Sequence, residues 1–291
     1  MIQLRKIRQL NLEAPYPPLT AASGVVKVNH YLYVIGDDEN HLGVFDTNQE
    51  GSPGRAHKLF EGKLPEEKKE RKLLKADLEA LTFLPEQSVL LAIPSGSKPN
   101  RYRGALVPLD KSGAPSGSAT VIDLSWLYLW LQKAIDPPNL ESAALVGNVL
   151  YLIHRGNKKG DLNALISIPL MDFFLGRQDQ AQIRTIRNFA EVDGVPLTIT
   201  DAANLDNKSL VFTAAAENTE NSFDDGPCLG SGLGVMDLNG NVLSFERVDA
   251  CKKLEGVYAQ RQENQWKLWL VNDEDDRSCP SELWEAFLSI G

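Results

Sequence analysis

Cysteine is scarce. Three cysteines in 291 residues exclude a disulfide-built scaffold and make free thiols the expected state. Neither a CxxC pair nor paired histidines occur, so a soft-metal site has no support. No run of about 18 apolar residues exists, which excludes a membrane-spanning helix. The start, MIQLRK, has no apolar signal core and no small-residue cleavage site, so a reduced, cytoplasmic protein is the expectation. Positive charge is short: 30 basic against 39 acidic residues give a net charge of −9. That balance argues against attraction to nucleic acid or to an anionic membrane. Basic and aromatic residues are not interleaved, which removes single-stranded nucleic-acid binding. There is no GxSxG elbow, HExxH or EF-hand loop, and the glycine-rich run 226–234 fits neither the dinucleotide nor the P-loop pattern. What remains is 43% hydrophobic and 24% charged, the composition of a soluble globular protein with a large core.

A divergent repeat organises the chain. An acidic residue followed by a small one recurs at Glu79, Glu141, Asp201 and Glu255, with Ser23 as an atypical first copy. Each leads, 9 to 13 residues later, into a β-prone run: LYVI from Leu32, LLAI from Leu90, LYLI from Leu150, LVFT from Leu210 and LWLV from Leu268. A hairpin of variable turn length explains those offsets. Third runs begin at Leu42, Ala105, Ala164, Leu233 and Leu283, and weaker fourth runs cover 57–60, 120–123, 183–186 and 242–245. The last copy has no fourth run, and residues 2–7 (IQLRKI) supply a spare one. Spacings of 56, 62, 60 and 54 residues between equivalent positions describe one four-stranded antiparallel meander per repeat.

Radial packing of such meanders is a β-propeller. The expected fold is all-β, one domain over 1–291. Its five blades are expected at about 21–63, 77–124, 139–190, 197–249 and 252–290, the last completed by 2–13, which removes exposed edges. Six blades is the alternative if two copies have merged, and a β-sandwich with accidental self-similarity is the competing fold.

The first strand of each propeller blade lines a central channel, so Glu79, Glu141, Asp201 and Glu255 are expected to face one another. Such carboxylates must take up protons, pair with cations or hold a metal. An oxygen-only cage suits a hard ion, calcium before magnesium. A ring of ion-paired carboxylates around water is the plainer alternative. The loops after the second strands open on the same face and begin at Gly36, Pro94, His154, Ala214 and Asn272. Their charge is sorted: Lys98, Arg101, Arg103, Arg155, Lys158 and Lys159 lie in blades 2 and 3, and acids in blades 1 and 5. A basic half beside channel acids points to a small anionic ligand, with Lys98, Arg101, Arg155 and Lys158 as its binding residues. Glu79, Glu141 and His154 are the candidate catalytic groups.

Three further segments stand out. Residues 65–75 (PEEKKERKLLK) are a charged excursion or short helix, expected to be solvated. Residues 125–134 suit a short helix capped by Ser125, with Trp126 and Trp130 on one face for core packing or, as the lesser reading, for a protein partner. The longest loop, 217–232, holds Phe223 and Cys228 and reads as a lid or a binding loop, with Phe223 suited to cover the channel mouth.

The segments DLEAL at 77–81, NLESA at 139–143 and KLEGV at 253–257 resemble the Leu-Glu-Gly blade starts of the phytase-like (esterase-like) propeller proteins. They are more remotely similar to the calcium-binding gluconolactonase and strictosidine-synthase propellers. The resemblance implies channel carboxylates that hold calcium and a top face that takes an anionic or ester substrate. It places Glu79, Glu141 and Glu255 at those starts, and Asp201 by its column. Ser23 in place of an acid, and five blades where those families have six, are departures. Two functions are therefore expected: binding of a small anionic molecule with metal-assisted hydrolysis of a phosphate or carboxylic ester, or a non-catalytic scaffold or ligand sensor.

Overall fold

The structure is a computed structural model that describes residues 1–49, 51–156, 163–186, 191–192, 194–217, 228–249, 252–274 and 276–289. Its first strand, β1 (Arg5–Gln9), belongs to the last blade. Blade 1 comprises β2 (Ala22–Val28), β3 (Tyr31–Gly36), β4 (His41–Asp46) and β5 (Arg55–Lys58). Blade 2 comprises β6 (Leu78–Leu84), β7 (Val89–Pro94), β8 (Arg103–Pro108) and β9 (Thr120–Asp123). Blade 3 comprises β10 (Leu140–Val146), β11 (Val149–His154), β12 (Asn163–Pro169) and β13 (Gln182–Ile186). After a small hairpin, β14 (Glu191–Val192) and β15 (Val195–Pro196), blade 4 runs through β16 (Thr198–Asp206), β17 (Ser209–Glu217), β18 (Cys228–Asp237) and β19 (Val242–Arg247). Blade 5 has β20 (Lys253–Gln262), β21 (Gln265–Asp273) and β22 (Glu282–Ser289), and β1 adds antiparallel to β22. Each inner strand packs against the inner strands of both neighbouring blades. The fold is a five-bladed β-propeller closed by its N-terminal strand.

The core explains why the second strands carry nearly unbroken apolar runs. It consists of five clusters, each lying in the seam between two neighbouring blades. In β3, Tyr33 and Ile35 enter the seam with blade 2, while Leu32 and Val34 enter the seam with blade 5. In β21, Leu268 and Leu270 face blade 4, whereas Trp269 and Val271 face blade 1. A strand buried on both faces loses the usual alternation and becomes a continuous apolar run. Each fully buried Leu, Ile or Phe contributes about 1.5–3 kcal/mol, so the seams carry the ring's cohesion. Blades 5 and 1 approach closely at backbone level: a Cβ on Gly256 would lie 3.1 Å from Gly24 Cα.

Local expectations are adjusted in several places. The outer strand of blade 1 ends at Lys58, and Leu59 and Phe60 turn inward to the seam with blade 2. β1 starts at Arg5, while Ile2 bridges Val248 of blade 4. The 65–75 excursion contains helix α1 (Lys68–Leu74), whose first turn is capped by the Glu67 side chain accepting from Glu70 N at 2.8 Å. It is not a fully solvated face, because Arg71 and Lys75 are buried. Helix α2 (Ser125–Leu131) begins at Ser125 rather than after it. The N-cap position falls to Leu124, which makes no side-chain cap bond, and Asp123 Oδ1 just before it accepts from Ser125 N at 2.9 Å. Helix α3 (Leu170–Leu175) packs beside α2 through Trp126 and Phe173, with ring centroids 5.9 Å apart. Trp126 and Trp130 both pack on the cluster between blades 2 and 3. Among the described residues, no helix is long and apolar enough to cross a membrane.

Candidate functional site

Every inner strand carries a one-residue bulge at the same point of its pairing with the second strand. The bulged residues are Ser23, Glu79, Glu141, Thr200 and Glu255. A bulge leaves its residue out of the ladder and re-aims the side chain, so this column is the structural register of the repeat. The residues paired just before it are Gly36, Pro94, His154, Ala214 and Asn272, the five loop starts read from the sequence.

This register corrects blade 4. Thr200 holds the column there, and Asp201 sits one place on, level with Ser142 of blade 3. Both of these residues bond the next blade. Ser142 Oγ accepts from Ala202 N at 2.9 Å, and Asp201 Oδ2 accepts from Val257 N at 2.8 Å. Asp201 Oδ1 also accepts from Ala202 N at 2.8 Å. Burial pushes the Asp201 carboxyl well above the usual range, against these backbone bonds. Asp201 thus ties a seam; it feels Glu255, which adds to the upward push on its carboxyl, and it lies outside the cluster of Asp37, Asp77 and Glu79. The two hydroxyl members of the column tie seams as well: Ser23 Oγ donates to Leu78 O at 2.7 Å, and Thr200 Oγ1 to Leu254 O at 2.6 Å.

The charge gathers between blades 1 and 2. Oxygen atoms of Asp37, Asp77 and Glu79 all lie within 4.8 Å of one another. Asp37 comes from the loop after β3, Asp77 precedes β6, and Glu79 is the bulged residue of β6. The Lys75 ammonium contacts Asp37, Asp38 at 3.1 Å and Asp77 at 3.0 Å. Arg101 Nη1 bonds Asp77 Oδ2 and Ser97 Oγ, each at 2.6 Å, and Ser95 Oγ donates to the same Asp77 oxygen. The Ser95–Ser97 loop rests on α2. Gly96 has φ +74° and lies flat on the Tyr128 ring, where a Cβ would come within 1.9 Å of the ring, and Tyr128 Oη donates to Pro94 O at 2.5 Å.

These contacts push neighbouring carboxyls apart. Burial would raise Asp77, but Lys75, Arg101 and the Ser95 hydroxyl hold it below its usual range. Burial, reinforced by Glu141, Asp77 and Asp37, lifts Glu79 well above its usual range. Burial also lifts Asp37 to about 6, against Lys75. Burial would lower Lys75, yet Asp37, Asp77, Asp38 and Glu79 keep it charged far above neutral pH. Farther out, burial raises Glu39 to about 7 against Arg71, and lowers His41 beside it to about 4.

The remaining expected residues are spread around the same end. Glu141 accepts from Asn139 Nδ2 and faces Arg155 Nη1 at 3.9 Å, while Arg155 Nε donates to Thr198 Oγ1 at 2.9 Å. His154 is buried, and its Nδ1 accepts from Asn139 N at 2.9 Å, a bond that requires an unprotonated Nδ1 and organises the loop. Glu255 pairs with Lys253 at 3.2 Å. Arg101 is buried against Asp77 instead of projecting toward a ligand, and Lys98 is half-buried. Lys158, Lys159, Phe223 and Cys251 lie outside the described residues, as does most of the expected 217–232 lid, whose last residues belong to β18. Cys279 is a free, exposed thiol, and Cys228 lies at the start of β18 with its Sγ 3.8 Å from Ser231 Oγ.

Sequence reasoning placed Asp37 among the acids of the blade-1 loop but missed Lys75, Asp77, Asn139 and Lys253 as parts of the mouth. A signal for three of them was present. Asp77, Asn139 and Lys253 each stand two residues before a column glutamate, in the pattern x-Leu-Glu. Around this end, seven carboxylates (Asp37, Asp38, Asp77, Glu79, Glu141, Glu255, Asp273) meet four cations (Lys75, Arg101, Arg155, Lys253). The described mouth is therefore net acidic.

The donor set fits a hard cation. It offers three carboxylates without sulfur or imidazole, and Asp37 Oδ1 is buried with no hydrogen-bond partner. Lys75 is the built-in counter-charge that such an ion must displace or share.

Solved structures similar to this chain are propellers and other β proteins at low identity. The luciferin-regenerating enzyme is 11% identical over 100% of this chain and 96% of its own, with a TM-score of 0.49. The α-L-arabinofuranosidase of Podospora anserina, solved with cellotriose, is 7% identical over 99% and 96%, with a TM-score of 0.50. The β-propeller domain of Cps50 (Swd1) from Myceliophteria thermophila is 9% identical over 91% and 71%, with a TM-score of 0.39. These likenesses concern the fold alone. No curated protein matches the chain. The family that matches, over residues 18–288, is not the phytase-like one that the blade starts resemble: the chain belongs to DUF6929, a family of unknown function.

Proposed function

We propose that the channel mouth binds a hard divalent cation, calcium ahead of magnesium, on Asp37, Asp77 and Glu79. The loaded site then takes a small anionic ligand and hydrolyses its phosphate or carboxylic ester. The observation that carries this reading is the convergence of three carboxylates from separate segments in a mouth whose acids outnumber its bases. A bound dication would supply the charge that attracts an anion to an acidic mouth and the Lewis acidity that polarises an ester. Glu79 must lose its proton to serve as a ligand, so cation affinity rises with pH. Glu141, on blade 3 and steadied by Asn139 just before its own strand, is assigned to take a proton from water, and Arg155 and Lys98 are assigned to the anion. Enzymes among the propellers of similar fold make hydrolysis a natural chemistry to test.

Titration calorimetry with calcium chloride should give one site that Glu79→Gln weakens at least about tenfold. A panel of phosphoesters and lactones should then show turnover that a chelator abolishes. Absence of calcium heat would overturn the reading, and binding without turnover would leave a cation-dependent ligand sensor.

A second reading, a protein-interaction scaffold, is favoured by one patch. Leu129 of α2 is 57% exposed, and Met171 and Leu175 of α3 are 65% and 53% exposed. Charged substitutions there should leave the melting temperature unchanged while abolishing capture of a partner; loss of the fold instead would make the patch structural.

A further inference from the structure

The segment 65–75 lies against the mouth, and its attachment is almost wholly electrostatic. Between Glu66 and Lys75 the only buried residues are two cations, Arg71 and Lys75. The leucines of the segment, Leu73 and Leu74, are 64% and 65% exposed, so neither anchors it. The tethers reach three blades. Arg71 Nη1 donates to Asp38 O at 2.5 Å and faces Glu39 at 3.6 Å, both from blade 1. From blade 2, Arg101 Nη2 donates to Lys72 O and Asn100 Nδ2 to Leu73 O, each at 3.1 Å. From blade 5, Arg277 Nη1 donates to Glu66 O at 2.9 Å. A segment without apolar anchorage belongs to the low end of local stability, and its strongest hold is the Lys75 ammonium among Asp37, Asp38 and Asp77.

Two of those carboxylates also belong to the three that fit a dication. An ammonium and a dication cannot both sit among them, because like charges at such separation in a partly dry site repel strongly. We propose that residues 65–75 form a charge-latched strap: Lys75 holds it closed on Asp37 and Asp77, and an external cation that takes those oxygens releases it. The inference rests on the cation-binding reading above and adds what binding does. Loading the site opens the flank of the mouth formed by blades 5, 1 and 2, so the ion that equips the site also admits the ligand.

Hydrogen exchange on the whole chain, read in peptides spanning 65–76 during a calcium chloride titration, tests this. Saturating calcium should speed exchange of the strap by about tenfold, with the blade strands unchanged. Lys75→Met should exchange fast without calcium and bind calcium about tenfold more tightly, its competitor being gone. Asp38→Asn removes one Lys75 partner without touching the three donors. It should move both readouts the same way by a smaller factor, which keeps the test open if Lys75→Met fails to fold. Calcium heat with unchanged strap exchange overturns the latch and leaves the cation site standing. A strap that exchanges no faster in either variant also overturns the latch. No calcium heat in wild type or variants overturns both.

Discussion

Blades 1 and 2 share a four-stranded plan with blade 4, yet they present opposite chemistry at the mouth. On the first side stand Asp37, Lys75, Asp77, Glu79 and Arg101, interlocked and mostly buried. On the other side the equivalent positions are Thr198, Thr200 and the buried Ala214 to Ala216. The ring needs only that the bulged residue leave the ladder and that neighbouring inner strands be tied together. A threonine hydroxyl meets both needs, as the bond from Thr200 to Leu254 O shows. Acids in the same column are more than the scaffold requires, and they bring cations with them, Arg155 from just past the following strand for Glu141 and Lys253 from the same strand for Glu255. Where the chain does this, the acids are those of the proposed cation site and its neighbours; where it does not, the hydroxyl serves ring closure.

The largest expected break of this contrast is Asp77→Ala. It strands the buried Arg101 and takes one of three carboxylates from the buried Lys75, and should lower unfolding free energy by about 3–5 kcal/mol. Thr198→Val across the channel should cost less than about 1 kcal/mol. Urea midpoints decide, and equal costs would erase the distinction between the two sides.

The next effect is one of pH. Glu39 sits at about 7 in the fold against an ordinary 4.5, so the folded state binds that proton more tightly than the unfolded chain. Its contribution is complete below pH 4.5 and is lost as pH rises through 7. His41, at about 4 against 6.5, has the reverse sense: its contribution is lost as pH falls from 6.5 through 4. Glu39→Gln should therefore gain on the wild type between pH 4.5 and 8 by roughly 3 kcal/mol, since each tenfold difference in proton affinity between folded and unfolded chain is worth about 1.4 kcal/mol. Parallel stability curves for the two proteins would count against the buried carboxyl.

The smallest effect concerns the seams. Asp201→Ala leaves buried N–H groups of Ala202 and Val257 without their carboxylate and should cost about 2 kcal/mol. Asp201→Ser, copying Ser142 of blade 3, should recover part of that. Loss of calcium binding in Asp201→Ala, with stability intact, would return Asp201 to the mouth.

Much of the architecture was written in the chain. Second strands buried on both faces carry nearly unbroken apolar runs, and five such runs at near-regular spacing announce five seams. The mouth was harder to read. In blade 4 the Asp201–Ala202 pair imitates the acid-then-small motif, and only the pairing register shows that Thr200 carries the bulge. The 65–75 excursion looks solvated because eight of its eleven residues are charged. Which of those charges turn inward depends on acids in blade 1 that are far away along the chain. Arg101 was legible as a cation in a loop, but its partner Asp77 fixes it as a support instead of a ligand-facing group. Helix α3 went unread because six residues carry too little periodicity.

The pairing of β1 with β22 joins residues some 280 positions apart. Contacts of that span are costly in chain entropy and form late. During synthesis, four blades can assemble as an open arc while the fifth waits for its opening strand to find its closing one. The exposed flanks of that arc are then the time window in which chaperones, or aggregation, would compete with completion of the circle.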